Sequence, residues 1–386
     1  MKITSIETHA VEVDGDRSWL FLEVRTDAGH IGWGEASQSR NDEAVQREVA
    51  AMEANYVGKS PLDLVEASQA VLRWPYIGKS VYAAVSGLEQ ALWDLCGKSL
   101  GVPVYQLLGG AVRSPIRVYA NIGYAVSDES PEEYARVARA AVDSGFTAVK
   151  LYAFGLKPDN GISPHELRRW MASGVERVRS VREAVGPDID ILVDLMHQFD
   201  DRHLANQVSA SLAPFKLFWL EDPFSHDLPE CLATFRGSLN TRLAGGAPYL
   251  DFRAYRPLLA AQSFDVLMPD VKWIGGILAT KKAAALADAH GVMCSLHNAS
   301  GPIATAASAH VSATMSNFLI LEYAWGTPDW RSKLCMGMER IENGTLVLSE
   351  RPGLGIDLDR SILAEHAKRK QGPGGSANYV EGPGSR

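Results

Sequence analysis

Apolar and polar residues alternate along the first 35 positions. In ITSIETHAVEV and WLFLEVRT the period is two, and Asp14-Gly15-Asp16 between them has turn chemistry, so the pattern predicts antiparallel strands. From about residue 42 to 108 the period becomes helical. AAVSGLEQALWDLCGKSLG carries an apolar stripe and a glycine stop at Gly97 or Gly101. Strands followed by helices predict an α+β first domain over residues 1–115. From residue 116 short β-rich runs alternate with longer amphipathic ones, the signature of βα units on a parallel sheet. In the first unit Ser130 reads as an N-cap, Pro131 as the first helical residue and Glu133 as the third member of a capping box; Gly145 ends the helix before TAVKLYAF. VYAN, TAVKLYAF, ILVD, KLFWLED, TRLAGG, DVLMPD, VMCSLHN and FLILEYA make eight strands, enough to close a barrel over residues 116–325. A doubly wound sheet would carry GxGxxG in its first βα turn, and none stands there. RIENGTLVLSE then returns to strand alternation and leads to PGLGIDLD, so residues 326–367 are expected to rejoin the first domain. Residues 368–386 form a Gly/Pro/Ser-rich tail expected to be flexible.

Length agrees with this division, because 386 residues exceed what one core usually supports. Net charge is −8 and the pI is about 5.7, which leaves no broad basic field for nucleic acid or an anionic membrane. A small anionic substrate stays open, since one lysine or metal outweighs a mildly negative surface locally. The four cysteines show no metal-ligand spacing and read as reduced thiols. The first residues carry charges without an apolar core, and no run of 18 apolar residues occurs, so a soluble cytoplasmic protein is expected.

The strand ends carry the candidate chemistry. TAVKLY offers Lys150 and Tyr152 on one face; the next strands offer Asp194, Glu221, Asp270, His297 and Glu322, with His197 just after Asp194. Taken singly, each carboxylate reads as a helix cap, His297 as a core histidine, Lys150 as a snorkelling side chain and Tyr152 as packing. Taken together they do not. From Asp194 the steps are 27, 49, 27 and 25 residues, one βα unit each except the double step, so five of six strand ends converge on the barrel mouth. The middle of the double step falls on RLAGGAPYL, whose end at Gly245, Gly246 and Ala247 offers no titratable group.

These residues, with ALWDLCGKSLGVPVYQLLGG, PDVKWIGGI, SLHNASGPIATAASAH and PGLG, resemble the enolase superfamily and, within it, the mandelate racemase subgroup. The resemblance covers nearly the whole chain up to the tail. It implies an α/β fold: a modified TIM barrel, (β/α)₇β, under an N-terminal α+β capping domain. It also implies proton abstraction next to a carboxylate, with Mg²⁺ stabilising the enediolate. On this pattern Asp194 and Glu221 are metal ligands, Asp270 and His297 form an acid–base dyad, Glu322 is the acid that bonds the substrate carboxylate, and Lys150 is its electrostatic partner. Aspartate at 270 favours the racemase side over the cycloisomerase branch, which has lysine there; Lys272 is the poorer match.

Two positions depart from the pattern. Tyr152 stands where the second lysine of the Lys-x-Lys pair belongs, and a phenol needs a positive neighbour such as Lys150 to act as a base. Ala247 stands at the third metal ligand; Asp251, the nearest carboxylate, reads as a helix N-cap, so Mg²⁺ is expected to be loosely held or bound with substrate. The expected activity is a Mg²⁺-dependent lyase that dehydrates a sugar acid, with His297 as principal acid/base and Tyr152 as second. A racemase, epimerase or cycloisomerase on a similar carboxylate, or a non-catalytic relative, are the alternatives. His197, Asn121, Trp325 and Arg331 are expected substrate contacts, and specificity is expected in cap loops around 14–19 and 38–60. The resemblance further implies a homo-oligomer; no nucleic acid or membrane partner is expected.

Overall fold

The computed structural model describes residues 1–368 apart from residues 16, 39–40, 64, 69, 71, 73–76, 158–162, 200, 226 and 327; beyond Lys368, the tail lies outside the described residues. Three antiparallel strands open the chain: β1 (Ile3–Asp14), β2 (Arg17–Thr26) and β3 (Ile31–Glu35). The alternation buries Leu20, Leu22 and Val24 against Ala83, Ala84, Leu88 and Ala91 of the helix Lys79–Leu100. That helix lies so close to the sheet that a methyl group on Gly34 would fall 1.8 Å from the Gly87 carbonyl oxygen. Of the two predicted stops, Gly101 ends the helix, in the left-handed conformation (φ 70°) that glycine adopts without strain. Gly97 remains inside it, where Gly353 packs onto its backbone.

Eight parallel strands follow: β4 (Ile116–Asn121), β5 (Ala148–Leu151), β6 (Asp190–Asp194), β7 (Trp219–Glu221), β8 (Arg242–Gly245), β9 (Val266–Leu267), β10 (Met293–Cys294) and β11 (Leu321–Ala324). They pair in chain order. β11 returns to β4, and a bridge from Cys294 to Phe318 joins β10 to the approach of β11, so the barrel closes. A helix follows each of the first seven strands, whereas β11 leads only to the four-residue helix Arg331–Leu334. This is the (β/α)₇β arrangement. Tyr119, Ala148, Leu192, Trp219, Ala244, Val266, Met268 and Ile320 fill the barrel interior, and a larger apolar layer lies between strands and helices.

Only half of the expected capping box forms at Ser130. Its hydroxyl accepts from Glu133 N at 3.2 Å, but the Glu133 carboxylate turns to Ser127 and Arg136, and Ser130 N–H donates to Asp128 instead. The reciprocal box is at Ser163 and Glu166.

The last segment touches both domains. A hairpin of β12 (Ile341–Glu342) and β13 (Thr345–Leu346) pairs with the start of β4. Leu354 N–H then donates to Asp94 of the capping helix, and Lys368 N–H donates to the Ala10 carbonyl of β1.

Two capping-domain carboxylates join the layers. Glu35 accepts N–H bonds from Gly301 and Ala304 at 2.8 and 2.9 Å, and Glu89 accepts from Ile277 and Leu278 at 2.7 and 2.9 Å. The barrel helices Pro302–Ala313 and Ile277–Ala289 begin after Gly301 and Gly276 and have no side-chain cap of their own, so the other domain supplies it. Glycine is required at 276: φ is 94°, and a methyl there would lie 2.1 Å from the Glu89 carboxylate.

Candidate active site

The strand ends deliver the predicted side chains to one place. At the end of β5 the buried Lys150 ammonium lies 2.8 Å from Glu221, 2.9 Å from Glu322 and 3.5 Å from Asp194. Burial opposes its charge, but Glu221 and Glu322 outweigh burial and hold its pKa well above the ordinary lysine value. Glu322 is also fixed by Asn121 Nδ2 at 2.7 Å and Asn298 N–H at 2.8 Å. Burial would raise its pKa; Lys150, then His297 and the Asn298 N–H, bring it down to about 2. In this geometry, without substrate, Glu322 is held as a carboxylate.

Asp194 and Glu221 are different. Burial raises both, Glu221 strongly, and Lys150 pulls both down; Asp222 adds to the rise of Asp194, and Asp194 and Glu322 add to that of Glu221. Two hard oxygen groups that share one ammonium and repel each other suit a divalent cation. Trp219 Nε1 and Met196 N–H hold the oxygens not facing Lys150. Ala247, the expected third-ligand position, is buried just past the end of β8. Asp251 does not fill it. Its carboxylate caps the turn Phe252–Ala254 through Arg253 N–H at 2.8 Å, as expected. Asp222, which the sequence reading passed over, leans across β8, where a methyl on Gly245 would meet its carboxylate at 2.3 Å.

A three-ligand group that could hold a metal ion occurs elsewhere. Glu7, His9 and Glu23 on β1 and β2 of the capping domain bring one ligand atom each within 4.8 Å of one another. Arg25 and Arg360 already pair with Glu23, so a cation there would compete with two guanidinium groups.

On the other wall, His297 Nδ1 lies 2.7 Å from Asp270 Oδ2. A carboxylate only accepts, so Nδ1 carries the hydrogen and Nε2 is left basic, 3.9 Å from Glu322. Asp270 is shared. Lys272 Nζ lies 2.6 Å from the same oxygen, and Lys272 N–H donates to the other at 2.7 Å. Burial alone would raise Asp270; Lys272 and His297 hold it at about 2.

Tyr152 is not made basic. Its hydroxyl accepts from Asn121 Nδ2 at 2.8 Å and lies 3.5 Å from the Tyr124 hydroxyl. Burial, followed by Tyr124, pushes it well above the ordinary phenol value, and Lys150 offsets only part of this. The distance explains why: the ammonium is 5.8 Å from the ring centre, turned towards carboxylates.

A cavity of about 250 Å³ opens above His297, between barrel and cap. Arg17, Ser18, Trp19, Gln38 and Asn41 line it from the cap, within the two loop regions expected to set specificity, together with Lys79, Lys272 and Trp273, which the sequence reading did not select. Lys79 had no local signal, because it begins a capping helix remote in sequence from the strand ends. Of the expected substrate contacts, Asn121 lies beneath the cavity in the Glu322 network. Trp325 is half-buried, with its N–H on the Asn121 carbonyl. His197 stands on a left-handed turn (φ 55°), bonded to Asp222 at 3.2 Å and to the Phe224 carbonyl at 2.8 Å. Arg331 is not among the residues that line the cavity. It is buried, with its guanidinium bonded to Glu339, the Ser300 carbonyl and Thr305.

A closed (β/α)₇β barrel under an α+β cap, with an ammonium, carboxylates and a His–Asp pair on its strand ends, has the architecture of enolase-type enzymes. Residues 133–362 match the family described as enolase C-terminal domain-like, and residues 4–109 match the mandelate racemase / muconate lactonizing enzyme N-terminal domain. The chain belongs to this mandelate racemase / muconate lactonizing enzyme family of the enolase superfamily. It is 33% identical to a D-xylonate dehydratase of Haloferax volcanii, over 95% of this chain and 89% of that one. It is 31% identical to a D-galactonate dehydratase of Verminephrobacter eiseniae, over 95% of each. The structure of a mandelate racemase/muconate lactonizing enzyme from Jannaschia sp. CCS1 superposes with a TM-score of 0.86 at 27% identity, covering 96% of this chain and 99% of that one. Among the described residues no helix is long and apolar enough to cross a membrane.

Proposed function

We propose that this protein dehydrates a sugar acid, removing the proton α to the carboxylate and the hydroxyl on the next carbon as water. The observation that carries this reading is the Asp270–His297 pair, which leaves a basic Nε2 at the floor of the cavity, close to Glu322 and the Lys150 network. Relatives spanning nearly the whole chain are D-xylonate and D-galactonate dehydratases, which favours loss of water over simple inversion.

The substrate carboxylate binds near Lys150, the cation at the centre of the site. Its arrival adds negative charge beside Glu322, which raises that group's proton affinity; Glu322 takes up a solvent proton as the substrate binds and then donates it in a hydrogen bond to a carboxylate oxygen, keeping it through the reaction. His297 Nε2 takes the α-proton, and the electron pair moves onto the carboxylate carbon and oxygens. As it returns, the bond to the β-hydroxyl breaks, and the imidazolium passes its proton to the departing oxygen. The products are water and an enol, which becomes the 2-keto-3-deoxy acid. Asp270 holds the imidazole tautomer throughout. Asp194 and Glu221 would hold Mg²⁺, with the Ala247 corner left to water or substrate oxygens; when bound, the ion supplies positive charge against the developing enediolate. A two-base inversion finds no second base here, since Tyr152 is a neutral phenol.

The test is a library of mono- and dicarboxylic sugar acids with Mg²⁺, read for keto-acid formation and for solvent deuterium at the α-carbon. Keto acid from at least one member, lost in His297→Asn, is the expected result. Deuterium exchange without loss of water would replace the dehydratase reading with an epimerase.

A further inference from the structure

Among the described residues, the charges lining the cavity are all of one sign. Arg17, Lys79 and Lys272 contribute to its wall, and among the described residues no carboxylate does. Two of the three are already matched. Arg17 pairs with Asp14 and lies over the Tyr124 ring, and Lys272 pairs with Asp270. Lys79 is different. Its ammonium stands 3.7 Å from the centre of the Trp273 ring, and among the described residues no carboxylate pairs with it. Lys272 lies 4.8 Å from the same ring and His297 packs 5.2 Å from it, so Trp273 links Lys79 to the dyad. Burial pushes Lys79 below the ordinary lysine value; Asp270 counters this in part and Lys272 adds to it, so an arriving anion would supply missing charge.

The reacting carboxylate is accounted for at Lys150, which is buried below the cavity and does not line it. The cation on the cap side therefore addresses the other end of the substrate. We propose that the substrate is a dicarboxylic sugar acid whose far carboxylate binds Lys79, with Arg17 nearby, while Ser18, Gln38 and Asn41 meet its hydroxyl groups. A single uncompensated ammonium suits one carboxylate better than a phosphate, which carries nearly two charges. A cavity of about 250 Å³ also suits a short chain, being smaller than the ~300–1,000 Å³ typical of larger ligands. This inference rests on the sugar-acid reading above and names which sugar acids.

Binding tests it independently of turnover. Calorimetry on full-length His297→Asn with Mg²⁺ would compare matched pairs, gluconate with glucarate and galactonate with galactarate, and the 6-phosphate of each monoacid. At least one diacid is expected to bind about tenfold tighter than its monoacid, a normal effect for one charge-assisted contact. Lys79→Met should bring that ratio to within about twofold, and Lys79→Arg should retain most of it; thermal melting checks that each variant is folded. Monoacids binding as tightly as diacids, a ratio unchanged in Lys79→Met, or a phosphorylated monoacid binding tighter than every diacid would each overturn the proposal. Wild-type turnover is scored separately: if no sugar acid loses water, the dehydratase reading fails whatever the binding ratio.

Discussion

Lys150 Nζ lies 2.9 Å from Glu322 Oε1, an ion pair between β5 and β11 that lies wholly out of solvent. The same ammonium faces Glu221 and Asp194, so one cation holds three carboxylates that would otherwise repel. Lys150→Met is expected to cost about 3–5 kcal/mol of stability, the usual penalty for leaving buried charge uncompensated. Denaturant titration would measure it. Added Mg²⁺ should restore part of the loss, because the ion takes over two of the same carboxylates. No recovery would mean that Asp194 and Glu221 do not form the metal site.

Ala247→Glu should tighten Mg²⁺ binding by about tenfold or more, since a third carboxylate completes the protein's share of the octahedron. Calorimetry with the metal alone reads this directly. Unchanged affinity would show that position 247 does not face the ion.

Removing the Tyr152 hydroxyl should reduce turnover less than tenfold. Tyr152→Phe takes away one acceptor for Asn121, whereas loss of a general base typically costs 10²–10⁴-fold. A drop in kcat within the larger range would restore Tyr152 as a base.

His310 gives a pH prediction outside the site. Its Nδ1 accepts from Tyr105 N–H at 3.1 Å and its Nε2 donates to the Leu354 carbonyl at 3.1 Å, so it is held neutral. Burial pulls its pKa down to about 4, with the Leu354 carbonyl opposing. A lowered pKa gives stability that is complete above the unfolded value near 6.5 and is lost as pH falls through 4, on the order of 3 kcal/mol in all. Melting temperature should therefore fall faster with acid in wild type than in His310→Gln between about pH 6.5 and 4. Parallel curves would rule the effect out.

The barrel was legible in the sequence because its strands are short apolar runs ending in charge at a steady interval. Asp194, Glu221, Asp270, His297 and Glu322 all stand where that interval places them. Partners made by chain reversal were not legible. Lys272 pairs with Asp270 because a tight turn brings its side chain back, which a count along a strand does not reveal. Arg331, expected at the substrate, pairs with Glu339 eight residues on, a partner that strand-end position does not reveal. The ionisation of Tyr152 depends on burial and ammonium orientation, and neither is written in local pattern.

The two carboxylates that reach across from Glu35 and Glu89 have a consequence for how a substrate enters. Lifting the whole cap would strand two acidic groups and four N–H donors at once, a cost that argues against a hinged lid. Arg17 and Gln38 border the cavity without carrying this seam. Changes at those two residues can retune which acid is accepted without touching the joint between the domains.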